Sequence, residues 1–421
     1  MKGSLVIVSW MAIIFSGCFG TRQISSENLS SIYRPVEHLF HPEFSVYHFT
    51  TDSSILFVKM NTEELLKVHQ QENGFRSAFR IQCRLVESFE SNVLLDSVST
   101  DFLVDPAVTE SQGKIRLYLI KFRIPKQGIF LLSCIVADLY KKVSEEYFVN
   151  IDHESQLSRQ NYFVSGLQPG VPLFRNYLSS SDSFRVSYRD TSVRRITVRY
   201  YHRNFPLAAP PFSFDIHDDF DYNPDSTFLV DNGGSVMNFQ KEGFYHFQTD
   251  TVSNHGLTLF RFKEGYPAVT TPDQMIEATR YLTSKKEFEE ISTNTSRKAA
   301  VDKFWLDIGG NQDRTRTLIK KYYSRIQESN RLFSSFKEGW RTDRGMIYII
   351  FGSPNFVYKN SVSENWIYGQ PNNALSLNFF FTRVNNPFTD NDFTLSRAPN
   401  YESSWYRAVE YWRQGRVYND F

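Results

Sequence analysis

Cysteine is scarce and histidine is confined to the first part of the chain. The only cysteines in the 421 residues are Cys18, Cys83 and Cys134, and no histidine follows His255. The C-terminal part therefore lacks the side chains that form Ser-His or Cys-His catalytic pairs and histidine-metal sites. A hydrolase, the least favoured hypothesis, would need a carboxylate beside a histidine of the preceding region, namely His202, His217, His246 or His255.

An excess of charge of one sign is also lacking. The 47 Lys and Arg residues nearly balance 46 Asp and Glu, which leaves a net charge of +1. No nucleic-acid partner is expected, because nucleic-acid binding needs a basic domain or stripe. The hydrophobic fraction of 41% predicts a folded protein, and 38 Phe with 23 Tyr favour strand-rich cores.

The one marked hydrophobic run is short and lies at the start. Leu5 to Phe15 follows Lys2, which is typical of a signal peptide and too short for a membrane span. The run ends in Phe15-Ser16-Gly17-Cys18, which resembles a bacterial lipobox with Phe15 in the usual Leu position. Lipidation of Cys18 is favoured over an ordinary secretory signal. Phe19, where Asp would signal inner-membrane retention, predicts a protein anchored in the outer membrane, and the lack of an acidic cluster after Cys18 favours the face towards the periplasm over surface display.

Five segments follow from composition and periodicity. Length alone suggests roughly three domains. The pattern predicts two antiparallel β-sandwich domains followed by an α+β domain. The predicted segments are a lipoprotein signal peptide at 1–18, a polar tether at 19–39, a first β-sandwich at 40–155, a second at 156–266, and the α+β domain at 267–421.

Alternating apolar residues support the two sandwiches. Phe79, Ile81, Cys83 and Leu85 share one face of a predicted strand. In the second unit, Asp231 to Gly234 is a hairpin signal between two strands.

The apolar period changes from 2 to 3.6 after Pro267. Capping boxes begin at Thr271 and Ser284, and amphipathic helices are predicted at 297–308 and 315–333. A turn at Gly339 to Asp343 then leads into the apolar run Met346 to Phe351, which we expect to be a strand.

The segment Gly339-Trp340-Arg341-Thr342-Asp343, with Phe304-Trp305 before it and Trp366-Ile367-Tyr368 after it, resembles the GWxTD domain of bacterial envelope proteins. Such lipoproteins commonly carry strand-rich domains ahead of this one. The resemblance implies no catalytic residue, because none is assigned in the family.

Two roles are open for the motif residues Gly339, Trp340, Thr342, Asp343, Arg344 and Gly345. Trp340 could stack on a ligand beside the charged residues. A structural role is favoured, because a tight turn between regular elements needs these residue types anyway.

Two further candidates lie in the sandwiches. Cys83 and Cys134 either form a disulfide or are small buried apolar residues, and their spacing does not decide between the two. The oxygen-rich run Asp219, Asp221, Asn223 and Asp225 suggests a Ca²⁺ site. A solvated loop is favoured over calcium, because Pro224 and Val230 stand where a calcium loop needs Gly and Glu. No other cofactor is expected.

These observations favour a non-enzymatic, lipid-anchored accessory or scaffold subunit of an envelope assembly or secretion machine, with envelope proteins as partners. The alternative is a glycan- or peptidoglycan-binding module, suggested by the abundance of aromatic residues in the sandwich domains.

Overall fold

The computed structural model describes residues 23–70, 74–104, 114–213 and 220–418. Cys18, His217 and Asp219 lie outside these ranges. Two strand-rich units precede a mixed helical and strand unit, and all the sheets are antiparallel. The predicted fold class is confirmed.

The first unit is a sandwich of a three-stranded and a five-stranded sheet. The smaller sheet contains β1 (Glu43–His48), β2 (Ser53–Asn61) and β6 (Ile115–Arg123); the larger contains β3 (Val68–Gln70), β4 (Gly74–Val86), β5 (Leu94–Val104), β7 (Gly128–Asp138) and β8 (Val143–His153). Apolar side chains from both sheets form one core, including Leu56, Val58, Phe79, Ile81 and Val136.

The second unit has a two-stranded and a four-stranded sheet. Its strands are β9 (Tyr162–Ser165) and β10 (Arg185–Tyr188) in one sheet, and β11 (Arg195–Tyr201), β12 (Ser226–Asp231), β13 (Gly243–Gln248) and β14 (Leu257–Arg261) in the other. The order in the larger sheet is β12-β11-β13-β14. The prediction of a hairpin at Asp231 to Gly234 is wrong, because β12 pairs with β11 rather than with the strand that follows it.

The C-terminal unit packs helices on a four-stranded sheet. The helices are α1 (Pro272–Ala278), α2 (Lys285–Ser292), α3 (Arg297–Gly309), α4 (Gln312–Phe333), α5 (Asp343–Phe351) and α6 (Glu402–Arg413); the strands, in sheet order, are β15 (Phe356–Lys359), β16 (Ser363–Tyr368), β17 (Leu377–Arg383) and β18 (Phe393–Leu395). Both predicted capping boxes are present, since Thr271 and Ser284 each exchange two hydrogen bonds with the third residue of the helix.

The apolar run Met346 to Phe351 is helical, so the prediction of a strand there is wrong. It belongs to α5, in which all nine residues are buried. A short, continuous apolar run is compatible with a fully buried strand or helix, and periodicity does not separate the two. Thr342 favours a helix over a strand here, because its side chain caps the first turn of the helix.

The described part of the predicted tether, residues 23–39, is docked rather than free. It forms three short 3₁₀ helices, and Leu29 and Tyr33 are buried in the core of the C-terminal unit. The backbone N–H of Leu29 donates to the carbonyl of Val357 at 2.8 Å. The polar composition of the segment gave no indication of these two buried side chains, which are 5% and 3% exposed.

Within the described ranges, no helix is long and apolar enough to span a membrane.

Candidate functional site

A sharp turn brings the end of α4 close to the start of α5. Gly339 to Arg341 form one 3₁₀ turn. A Cβ on Gly339 would lie 2.0 Å from the carbonyl oxygen of Ser329, and a Cβ on Gly345 would lie 1.9 Å from that of Gly339. Both positions require glycine because backbone passes directly over backbone.

Thr342 links the turn to the helix. Its hydroxyl donates to the carbonyl of Gly339 at 2.7 Å and accepts from the N–H of Gly345 at 3.0 Å. Because Thr342 is buried and its hydroxyl both donates and accepts a hydrogen bond, it fixes the angle at which α5 begins.

Asp343 binds a residue beyond the last strand. Its Oδ1 lies 2.6 Å from a guanidinium nitrogen of Arg397, and its Oδ2 accepts from the second nitrogen at 3.1 Å. The same Oδ2 accepts from the backbone N–H of Leu395 at 2.7 Å. This bidentate pair, buried on both sides, attaches the start of α5 to the end of β18.

Arg344 occupies the centre of the domain. Its guanidinium lies 4.0 Å from the ring centre of Phe393 and 3.1 Å from Oε1 of Glu364. Lys359 also binds Glu364, at 2.8 Å. Burial alone would raise the pKa of Glu364, but the charges of Lys359 and Arg344 outweigh it and lower that pKa to about 2.

Trp340 and Arg341 face the second sandwich. The indole N–H of Trp340 donates to Glu338 at 3.2 Å, and Arg341 binds Glu338 at 2.7 Å and Glu277 at 2.6 Å. The carbonyl of Arg341 accepts from the N–H of Ala208, in the loop that follows β11. These two residues therefore form part of a domain interface.

The model of the GWxTD domain family matches residues 243–414, which includes the whole of this turn and its partners in the C-terminal sheet. The chain contains a GWxTD domain. The match begins in β13, earlier than the boundary at 267 that the change in periodicity predicts.

Other comparisons add little to the GWxTD assignment. No curated protein matches the chain. Among solved structures, red sea bream transglutaminase is similar over 55% of this chain and 33% of that chain, with 11% sequence identity and a TM-score of 0.17. At that TM-score the similarity carries no argument about fold or activity.

The described members of the calcium candidate surround an arginine. Arg203 lies 2.9 Å from Asp225 and 3.5 Å from Asp221, and it also binds the carbonyl of Asn223. A side-chain cation thus occupies the centre of this acidic loop. Within the described ranges, no group of three or more His, Cys, Asp or Glu side chains is placed to hold a metal ion.

Cys83 and Cys134 are opposite each other on β4 and β7, with their sulfur atoms 3.3 Å apart. Both are buried free thiols in this structure. Burial raises the pKa of the Cys134 thiol well above its usual value, which disfavours the reactive thiolate.

Among the described histidines of the second sandwich, the ring nitrogens of His202 and His246 bind oxygens other than carboxylates. His246 binds the hydroxyl of Thr258 and the carbonyl of Asn254, and His202 binds the carbonyl of Glu242. Burial lowers the pKa of His246 to about 4, so the ring is neutral at pH 7.

Sequence reasoning missed the partners of the GWxTD motif. Glu364 carries a signal, since it shares a strand face with Trp366 and Tyr368, and a carboxylate on a buried face needs a cation. Arg397 lies in a loop and has no comparable signal in the sequence.

Proposed function

We propose that the chain is an outer-membrane-anchored periplasmic lipoprotein that acts as a non-enzymatic accessory or scaffold subunit of an envelope assembly or secretion machine. The observation that carries this proposal is that hydrogen bonds from the GWxTD domain attach both sandwiches to it. Several modules held together in this way present a combined surface to partners, which is what a scaffold requires.

The second sandwich is attached through an irregular segment that lies against the GWxTD domain. Ala208 donates to the carbonyl of Arg341 at 3.1 Å, and Ala398 donates to that of Pro211 at 3.1 Å. Arg397, the partner of Asp343, also donates to the carbonyl of Ala209 at 3.3 Å. The motif therefore contributes directly to the attachment of this segment.

The first sandwich is attached through Asp390. This carboxylate accepts from Asn150 of β8 at 3.0 Å and from Arg159, just before the second sandwich, at 2.8 Å. Burial opposes its ionisation, yet the charge of Arg159 lowers the pKa of Asp390 well below its ordinary value. One partly buried, ionised carboxylate thus connects three parts of the chain.

The docked N-terminal segment supports a position close to the membrane. Asn28 and Leu29 are hydrogen bonded to β15 of the GWxTD domain. Four residues lie between Cys18 and Gln23, so these two residues are at most about 18 Å apart in an extended chain. A lipid on Cys18 would hold the GWxTD domain near the bilayer surface.

Crosslinking with mass spectrometry in intact cells tests the proposal. We expect crosslinks from several domains of the chain to the same envelope protein, and co-purification of that protein from detergent-solubilised outer membrane. A Cys18→Ala variant, which cannot be lipidated, is the matched control and should lose both membrane association and most crosslinks.

Recovery of a solitary monomer at native expression levels would contradict the scaffold role. Retention on isolated cell-wall sacculi without any protein partner would instead support the alternative, a glycan- or peptidoglycan-binding module.

A further inference from the structure

A cleft of about 680 Å³ lies between the second sandwich and the GWxTD domain. One wall is formed by the segment that follows β11 and by the ends of β13 and β14, and the other by α1, α2 and the GWxTD turn. Trp340 and Arg341 line it together with Phe205, Arg280, Phe336 and Lys337. A cavity of this size accommodates a small organic molecule or one or two residues of a peptide.

Positive charge is available in this cleft. Arg203, Arg261, Lys263 and Arg341 are each bound to a carboxylate. Arg280 and Lys337 also line the cleft, and neither forms a close ion pair among the described residues, although the charge of Lys337 acts at longer range on the carboxyl of Asp392. Arg280 donates instead to the carbonyl of Thr283 at 2.8 Å, and its guanidinium lies over the ring of Phe288.

Apolar surface lies beside these cations. Phe205, Phe288 and Phe336 line the cleft and are only partly buried. The rings of Phe205 and Phe336 are 4.9 Å apart and belong to opposite walls. They form an apolar floor at the point where the two domains meet.

The carboxylates in the lining limit the charge of a ligand. Glu242, Glu277 and Glu338 also face the cleft, and Glu277 and Glu338 are already bound by Arg341. A ligand with several negative charges would be repelled by these groups, whereas a single carboxylate can bind the available cations.

We propose that this cleft binds a monovalent organic anion, in which one carboxylate is attached to an apolar, ring-bearing body. The carboxylate binds Arg280 and Lys337, and the ring packs against Phe205 and Phe336. This goes beyond the scaffold role, since it assigns a ligand to a cleft that Trp340 and Arg341 of the GWxTD turn help to line.

N-acetyl-L-phenylalanine is a suitable probe, and N-acetyl-L-phenylalaninamide is its uncharged match. Titration calorimetry with the purified full-length chain should detect binding of the acid and about tenfold weaker binding of the amide, because a charge-assisted hydrogen bond is lost. Arg280→Gln and Lys337→Gln should each weaken binding of the acid by about the same factor.

Arg316→Gln is the control, since Arg316 is an exposed cation on α4 outside the cleft. It should bind the acid as the unmodified chain does. Melting curves establish that each variant is folded, and two independent variants keep the test informative if one of them fails to fold. Equal affinity for acid and amide, no binding up to the solubility limit, or full binding by both folded cleft variants would overturn the proposal.

Discussion

The carboxylate of Asp343 and the guanidinium of Arg397 form a bidentate pair across 54 residues of sequence, with the closer contact at 2.6 Å. Asp343 begins the buried helix α5, and Arg397 follows the last strand of the sheet. When one partner of a buried ion pair is removed, the other charge is left poorly solvated. The free-energy cost of that unpaired charge exceeds the net stabilisation that the pair provides.

We therefore expect Asp343→Ala to destabilise the GWxTD domain by roughly 3 to 5 kcal/mol. Asp343→Asn, which keeps the shape, should be nearly as harmful because it also removes the charge. Thermal denaturation followed by circular dichroism measures the effect. The loss of stability should exceed any loss of partner crosslinking at low temperature, and an unchanged melting temperature with abolished crosslinking would disprove the structural role.

Gly345→Ala should disrupt the turn. The new Cβ would lie 1.9 Å from the carbonyl oxygen of Gly339, so the backbone of two elements must separate. We expect a loss of more than about 3 kcal/mol or failure to accumulate as a folded protein. Gly166→Ala is the matched control, because nothing lies within 4 Å of its Cβ position. Similar melting temperatures for the two variants would show that the close approach is not a constraint.

Glu364 makes the GWxTD domain sensitive to acid. Its pKa in the fold is about 2 against an ordinary value of 4.5, so its stabilisation is complete above about pH 4.5 and is lost as the pH falls towards 2. The difference corresponds to about 3 kcal/mol. Melting temperatures between pH 7 and 2.5 should fall more steeply for the unmodified chain than for Glu364→Gln. Parallel curves would show that Glu364 does not titrate in this range.

Tyr33 should contribute to the stability of a domain that lies far from it in sequence. Its hydroxyl donates to Glu364 at 2.7 Å, and its ring centre is 4.8 Å from that of Trp366. Tyr33→Ala should cost roughly 3 to 5 kcal/mol, and Tyr33→Phe about 1 kcal/mol. Val36→Ala, at a position that is 82% exposed, is the control and should have little effect in the same denaturation assay. Equal stability of Tyr33→Ala and Val36→Ala would mean that the segment is not docked in solution.

Some elements of the fold could be predicted from local signals in the sequence. The capping boxes at Thr271 and Ser284 were predictable because both partners of each hydrogen bond lie within four residues. The strands of the first sandwich were predictable from alternation, since one face of each meets a common core.

Features that depend on distant residues were not predictable. The run Met346 to Phe351 is apolar on all sides because α5 is enclosed on all sides, and a single sequence shows only the apolar run. Docking of the N-terminal segment depends on Tyr33 meeting Trp366 and Glu364, which no local pattern indicates. The partners of Asp343 and Arg344 were missed for the same reason.

The docked N-terminal segment also has a consequence for the order of folding. Leu29 and Tyr33 precede both sandwiches in the chain, but the strands that receive them, β15 and β16, follow both sandwiches. The GWxTD domain therefore completes its core only when Leu29 and Tyr33 meet these strands, across two intervening domains that fold on more local contacts. A fragment limited to residues 243–414 lacks this segment and would expose the surface of Trp366 that Tyr33 covers.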